Sequence, residues 1–282
     1  MLIREKGISL KFLAAVFLVA LLCGCSRFIG DGNGLDTTIW QAFFQYTKAE
    51  LADMGEFGAS YQAVIGFRDS DWFVVLLPAL VSFPFVYDFD EQWFGGNYYL
   101  VVSRQTKRRY AVQTMLRAAG TGFCILISGT LIYTFFAVLK FPCGISEPEQ
   151  SAIAASYGAT ILQRGVYFIR ELLHTGCLSA LLVMISVLLT VILKNRFLAL
   201  SLPVLIEYMS SKLLYVFQRY RFLQENDSVA GAFVEFLLPS KHLYYDQSFA
   251  ASFGVSYGFY LMFLLFVFVV MMVVFLRMVE RR

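Results

Sequence analysis

Three groups of residues in this chain have the types and spacing for chemistry or recognition. Gly254-Val255-Ser256-Tyr257-Gly258 spells G-x-S-x-G, the nucleophile elbow of serine hydrolases, where a strand–turn–helix bend exposes the serine oxygen. Its general base would have to be His174. The motif stands at the mouth of a long apolar run, however, so small residues letting helices approach closely explain it more simply. Glu207 lies midway along another apolar stretch. An ionisable group inside a membrane is costly, so it is read by default as part of a polar path or a proton-accepting site. Lys212, five positions on, falls on a different helical face and is not expected to pair with it. The third group joins an acidic cluster, Asp88, Asp90 and Glu91, to a basic stretch, Arg104, Lys107, Arg108, Arg109 and Tyr110, across a Gly95-Gly96 break. Charges in that order suit a docking surface, because complementary charge fixes register and partner choice. The alternative is a basic loop lying on lipid headgroups.

Other chemistries find little support. The five cysteines (Cys23, Cys25, Cys124, Cys143 and Cys177) form no C-x-x-C pair, and the two histidines, His174 and His242, stand apart from them. No metal site is therefore expected. No G-x-x-x-x-G-K-[ST] occurs, so the chain lacks the loop that cradles nucleotide phosphates. It is not expected to be an enzyme or to bind a cofactor itself. A net charge of +3 is too small to imply a nucleic-acid partner.

The elements that must carry these groups are membrane helices. Hydrophobic residues make up 59% of the 282 and charged residues 15%, against about 45–50% and about 25% in soluble chains. The apolar residues fall in blocks near the ~20 residues that a spanning helix needs. Spans are expected at about 8–29, 72–89, 112–139, 172–193, 197–217 and 253–279, the second carrying Pro78 and Pro84 and the fifth Pro203. The fold class is all-α: a polytopic integral membrane bundle of about six helices, one transmembrane domain over residues 1–282, with no repeat or soluble domain. The bilayer is its first partner.

Charge sets the orientation, since Lys and Arg accumulate in short cytoplasmic segments. An inside N-terminus puts Arg4, Lys6 and Lys11 in the cytoplasm, with the 104–117 basic cluster, Lys194, Arg196, Arg277, Arg281 and Arg282. Asp31, Asp36, Glu50, Asp53, Glu56, Asp69 and Asp71 then lie outside. Both termini are expected to be cytoplasmic. Three outer segments, about 30–70, 141–171 and 218–252, are long enough for interfacial helices; the last holds Ala232 to Leu238 and the Tyr244-Tyr245 pair. Arg170-Glu171 is expected at the outer interface as an anchor. A second reading of the N-terminus also exists. A basic start, a short apolar run and Leu22-Cys23-Gly24-Cys25 resemble a bacterial lipoprotein signal, with Cys25 as the lipidation site. Cys23 stands where such signals carry a small or branched residue, and a retained first span is preferred.

The order of features between Leu76 and Ala119 resembles the membrane subunits of bacterial ATP-binding-cassette transporters of the type-2 exporter class. In that family the second span ends in an acidic stretch, and a glycine-bearing turn leads to a "…SR…(K/R)(K/R)Y…" segment feeding the third span. Here Asp88, Asp90, Glu91, Gly95, Gly96, Ser103, Arg104, Arg108, Arg109 and Tyr110 occupy the matching places. This chain departs from the pattern where Gln92, Trp93 and Phe94 follow the acidic cluster in place of further charges. The resemblance implies a cytoplasmic coupling segment, about 90–111, docking on a separate nucleotide-binding subunit that holds ATP and Mg. It implies a second permease subunit, identical or related, and residence in the bacterial inner membrane. Two other classes stay open: an ion-coupled secondary carrier using Glu207, and a non-transporting membrane anchor or assembly protein.

Overall fold

The computed structural model describes residues 9–26, 28, 37–53, 64–65, 71–95, 97–142, 160–219 and 254–282. They are almost all helical. The helices are α1 (Leu10–Cys23), α2 (Ile39–Gln45), α3 (Lys48–Asp53), α4 (Asp71–Phe94), α5 (Asn97–Val102), α6 (Lys107–Lys140), α7 (Ile161–Leu193), α8 (Arg196–Arg219) and α9 (Tyr257–Arg281). Most of the three outer segments, with Gly96, Cys143, His242, Ala232 to Leu238 and the Tyr244-Tyr245 pair, lie outside the described residues, as do Arg4 and Lys6.

Among the described residues four helices are long and apolar enough to cross a membrane: α4, α6, α7 and α9. The chain is thus a multi-pass helical membrane protein. The first apolar block differs from expectation. Among the described residues it is helical over the 14 residues of α1, where Ser9 caps the start by accepting from the Phe12 amide and Gly24 closes the end. At about 1.5 Å per residue that is shorter than a ~30 Å hydrocarbon core. The fifth block is helical over 24 residues as α8, with Pro203 inside it.

The chain divides into two compact units, residues 1–74 with 125–173 and residues 75–124 with 174–282. In the first, α1 buries a stripe of Ala15, Val16, Val19, Ala20 and Cys23. The stripe approaches α6 where Gly129 has no side chain; a Cβ there would lie 2.6 Å from Val19 Cγ1 and 2.9 Å from the Val16 carbonyl oxygen. The Trp40 indole packs on Gly24 and donates to the Leu21 carbonyl at 2.6 Å. Trp40 also meets the Tyr133 ring edge-on at 5.9 Å. Thr38 and Gln41 form a reciprocal capping box that fixes the start of α2 and so aims this tryptophan. These contacts build α1 into the packed unit.

In the second unit a mostly apolar interior holds a few buried hydroxyls that join helices, and large apolar side chains face outward. Ser179 Oγ donates to the Gly122 carbonyl at 2.8 Å, joining α7 to α6, and Ser186 Oγ donates to Ser82 Oγ at 2.9 Å, joining α7 to α4. Along α9, Phe259, Met262, Phe266 and Val273 are exposed. Small hydroxyl residues inside and large apolar ones outside match a solvent of hydrocarbon, where helix contacts rest on close packing and interhelical hydrogen bonds.

Candidate functional site

The acidic-to-basic segment is an ordered turn between α4 and α6, and its sequence accounts for its shape. The Gly95 amide donates to the Glu91 carbonyl at 3.0 Å, and a Cβ at Gly95 would collide with that oxygen, so a residue without one ends α4. Six residues of α5 follow, closed by the Ser103 hydroxyl donating to the Leu100 carbonyl at 3.0 Å. Thr106 Oγ1 then accepts from the Arg109 amide at 3.3 Å and starts α6.

Aromatic rings hold the turn from within. Trp93 lies 4.7 Å from the Tyr98 ring, 6.3 Å from Tyr110 and 5.9 Å from Phe275 on α9, and Tyr110 meets Tyr98 edge-on at 5.4 Å. Trp93, Tyr98 and Tyr110 are all buried. Packed aromatic pairs of this kind contribute about 0.5–1.5 kcal/mol each beyond their burial. Burial pushes the Tyr98 phenol above its usual value, the nearby Arg282 charge pulling the other way. The phenol stays protonated at neutral pH, and its OH donates to the Val279 carbonyl at 3.4 Å.

Charges hold the turn from its sides. Lys194 adopts a left-handed φ of 52° that ends α7, and Asn195 Oδ1 accepts from the Phe197 and Leu198 amides at 2.9 and 3.2 Å to start α8. This tight link puts Arg196 over the Tyr87 ring at 4.3 Å, 3.7 Å from Asp90 and 4.0 Å from Glu91. On the other side Glu280 of α9 accepts from Lys107 Nζ through its carbonyl at 3.2 Å and pairs with Arg108 at 3.8 Å. The ends of α4, α6, α8 and α9 therefore meet in one basic cluster.

The expected docking residues separate into two sets. Asp90, Glu91, Lys107 and Arg108 are engaged by Arg196 and Glu280. Tyr110 is 4% exposed and supports the turn from inside, too deep to touch a partner. Asp88, Arg104 and Arg109 are exposed, and neither arginine pairs with a described carboxylate. Beside them Tyr99 and Leu100 of α5 are 62% and 63% exposed. Sequence reading missed Arg196, Glu280 and Arg282 as supports. Their signal was the positive-inside pattern, which placed the arginines on this side without saying what they touch.

The remaining candidates fare unevenly. Glu207 is 1% exposed within α8. Lys212 leaves it and stands over the Tyr208 ring at 5.6 Å, one turn away on its own helix. The G-x-S-x-G segment has no strand before it among the described residues. Ser256 sits at the start of α9, and Gly254 has a φ of 66°. Among the described residues a Cβ at Gly254 or Gly258 would meet nothing within 4 Å, so no close helix approach is seen there at either glycine. At Gly254 the left-handed backbone does. His174 is fully buried, its ring stacked on Tyr260 at 5.3 Å. Glu171 is 2% exposed and pairs with Arg170 at 3.1 Å. Cys23 and Cys25 are not joined in a disulfide, and Cys25 is exposed past the end of α1. No His, Cys, Asp and Glu group among the described residues has the arrangement to hold a metal ion. No protein-family model matches the chain, and neither does a curated protein or a solved structure.

Proposed function

We propose that the chain is the membrane-spanning subunit of an ATP-driven exporter in the bacterial inner membrane, coupled to a separate nucleotide-binding subunit and paired with a second permease subunit. The observation that carries this reading is the α4–α6 turn. It is a short helix set across the ends of two spanning helices, braced from behind by buried aromatics and from both sides by ion pairs. Its outer face offers two largely apolar side chains, Tyr99 and Leu100, flanked by Arg104 and Arg109, which pair with no carboxylate among the described residues. An exposed apolar knob in a basic surround fits a partner with an apolar groove and an acidic rim. The basic cluster favours a cytoplasmic position for this end, where ATP is available. Purification of the tagged chain in mild detergent is expected to recover a Walker-motif ATPase by mass spectrometry. Recovery of the intact chain without one, under conditions that preserve other transporter complexes, would sink the reading.

Glu207 favours a second reading. A carboxyl buried to 1% in an apolar helix is costly to keep charged and suits a group that takes up and releases a proton. An ion-coupled carrier would need no ATPase, and Glu207→Gln would abolish proton-driven uptake in vesicles while leaving the chain folded. Transport that persists in Glu207→Gln at the wild-type rate removes this alternative.

A further inference from the structure

The Arg282 guanidinium lies over the Trp93 ring at 4.4 Å and the Tyr98 ring at 4.7 Å, with Phe94 and Tyr99 each at 5.8 Å. Four rings from the end of α4 and the start of α5 thus surround one cation delivered by α9. Arg282 is itself exposed, while Trp93 and Tyr98 under its guanidinium are each 2% exposed. The same turn of α9 accepts the Tyr98 hydroxyl at the Val279 carbonyl and holds Lys107 and Arg108 through Glu280. Phe275, one turn further back, packs on Phe89 at 6.0 Å and on Trp93. The end of α4, the start of α5 and the start of α6 are therefore each touched by the end of α9.

We propose that Arg282 is a positioning residue: the end of α9 straps the α4–α6 turn in place, with the arginine as its clasp. Planar stacking suits arginine better than lysine here, because a guanidinium can lie flat on an indole or a phenol while an ammonium is a compact, strongly hydrated charge. Movement of α9 along its axis would pull on Trp93 and Tyr98 directly. The strap thus links a spanning helix to the surface formed by Tyr99, Leu100, Arg104 and Arg109. This inference deepens the docking reading, but its test needs no ATPase, so the two stand or fall separately.

The turn contains four tryptic sites, Arg104, Lys107, Arg108 and Arg109. Cleavage there tracks the population of the opened turn when closing outpaces the protease. In the purified full-length chain, Arg282→Ala is expected to raise the rate of cleavage between residues 104 and 110 by about tenfold, with Arg282→Lys intermediate. Arg281→Ala removes a neighbouring cation that makes none of these contacts among the described residues, and it is expected to cleave at the wild-type rate. Both substitutions fall on exposed positions, so the fold is not at stake. Equal rates for wild type and Arg282→Ala would overturn the proposal. So would the same acceleration in Arg281→Ala, which would assign the effect to charge alone.

Discussion

Reversing both exposed cations, Arg104→Glu with Arg109→Glu, is expected to lower ATPase capture at least tenfold while leaving the membrane protein intact. Neither side chain braces the turn, because the bracing contacts belong to Arg196, Glu280, Arg282 and the buried rings. The double variant would place two carboxylates against an acidic rim, and like charges facing each other across an interface cost several kcal/mol. Quantitative mass spectrometry of the captured ATPase, normalised to the tagged chain, reads the effect. Higher salt should weaken wild-type capture in the same direction, as rim charges are screened over about 8–10 Å. A variant that captures as much ATPase as wild type would move the contact away from these arginines.

The second large effect concerns the helix packing beneath the turn. A Cβ at Gly122 would sit 2.5 Å from Val183 Cγ2 and 2.7 Å from the Ser179 carbonyl oxygen. The valine methyl can shift a little, but the carbonyl belongs to the α7 backbone. Gly122→Ala must therefore separate α6 from α7 and stretch the 2.8 Å bond from Ser179 Oγ to the Gly122 carbonyl. Overpacking of this kind costs about 1–3 kcal/mol, and Gly122→Leu should cost more. Gly120, two residues away, is the internal control, since a Cβ there meets nothing within 4 Å. Gly120→Ala should be neutral or slightly stabilising, by up to about 1 kcal/mol from helix propensity. Thermal unfolding of the three variants in one detergent would show the order Gly120→Ala, wild type, Gly122→Ala. Equal midpoints for the two alanine variants would mean that α6 and α7 do not pack as described.

The long elements were legible because their cause is local. Runs of apolar residues near 20 long announce α4, α6, α7 and α9 whatever their neighbours do. Cap residues such as Ser9 and Thr106 set where helices begin, but the shortening of the first block to α1 also needs Gly24 and the packed Trp40 ring. No periodicity reveals that pair. The candidate site shows the same division. Charge order picked out the segment from Asp88 to Tyr110, yet it could not tell a facing arginine from an engaged one. That distinction depends on Arg196, Glu280 and Arg282, which lie roughly 100 and 190 residues further along the chain. Tyr110 illustrates the limit: it matches a surface motif by position and turns inward because Trp93 and Tyr98 offer it a ring-lined site. Trp93 and Phe94, which interrupt the acidic run, are the residues that make that site and the cage around Arg282.

The most direct test of the central claim is a photo-crosslinking residue placed at Leu100, on the exposed face of α5, in cells expressing the full chain. Irradiation is expected to join the chain to a Walker-motif ATPase, with the same residue at buried Met115 as a negative control. Adducts to lipid alone, with no ATPase joined from Leu100, would contradict the account and return the turn to a headgroup-facing loop.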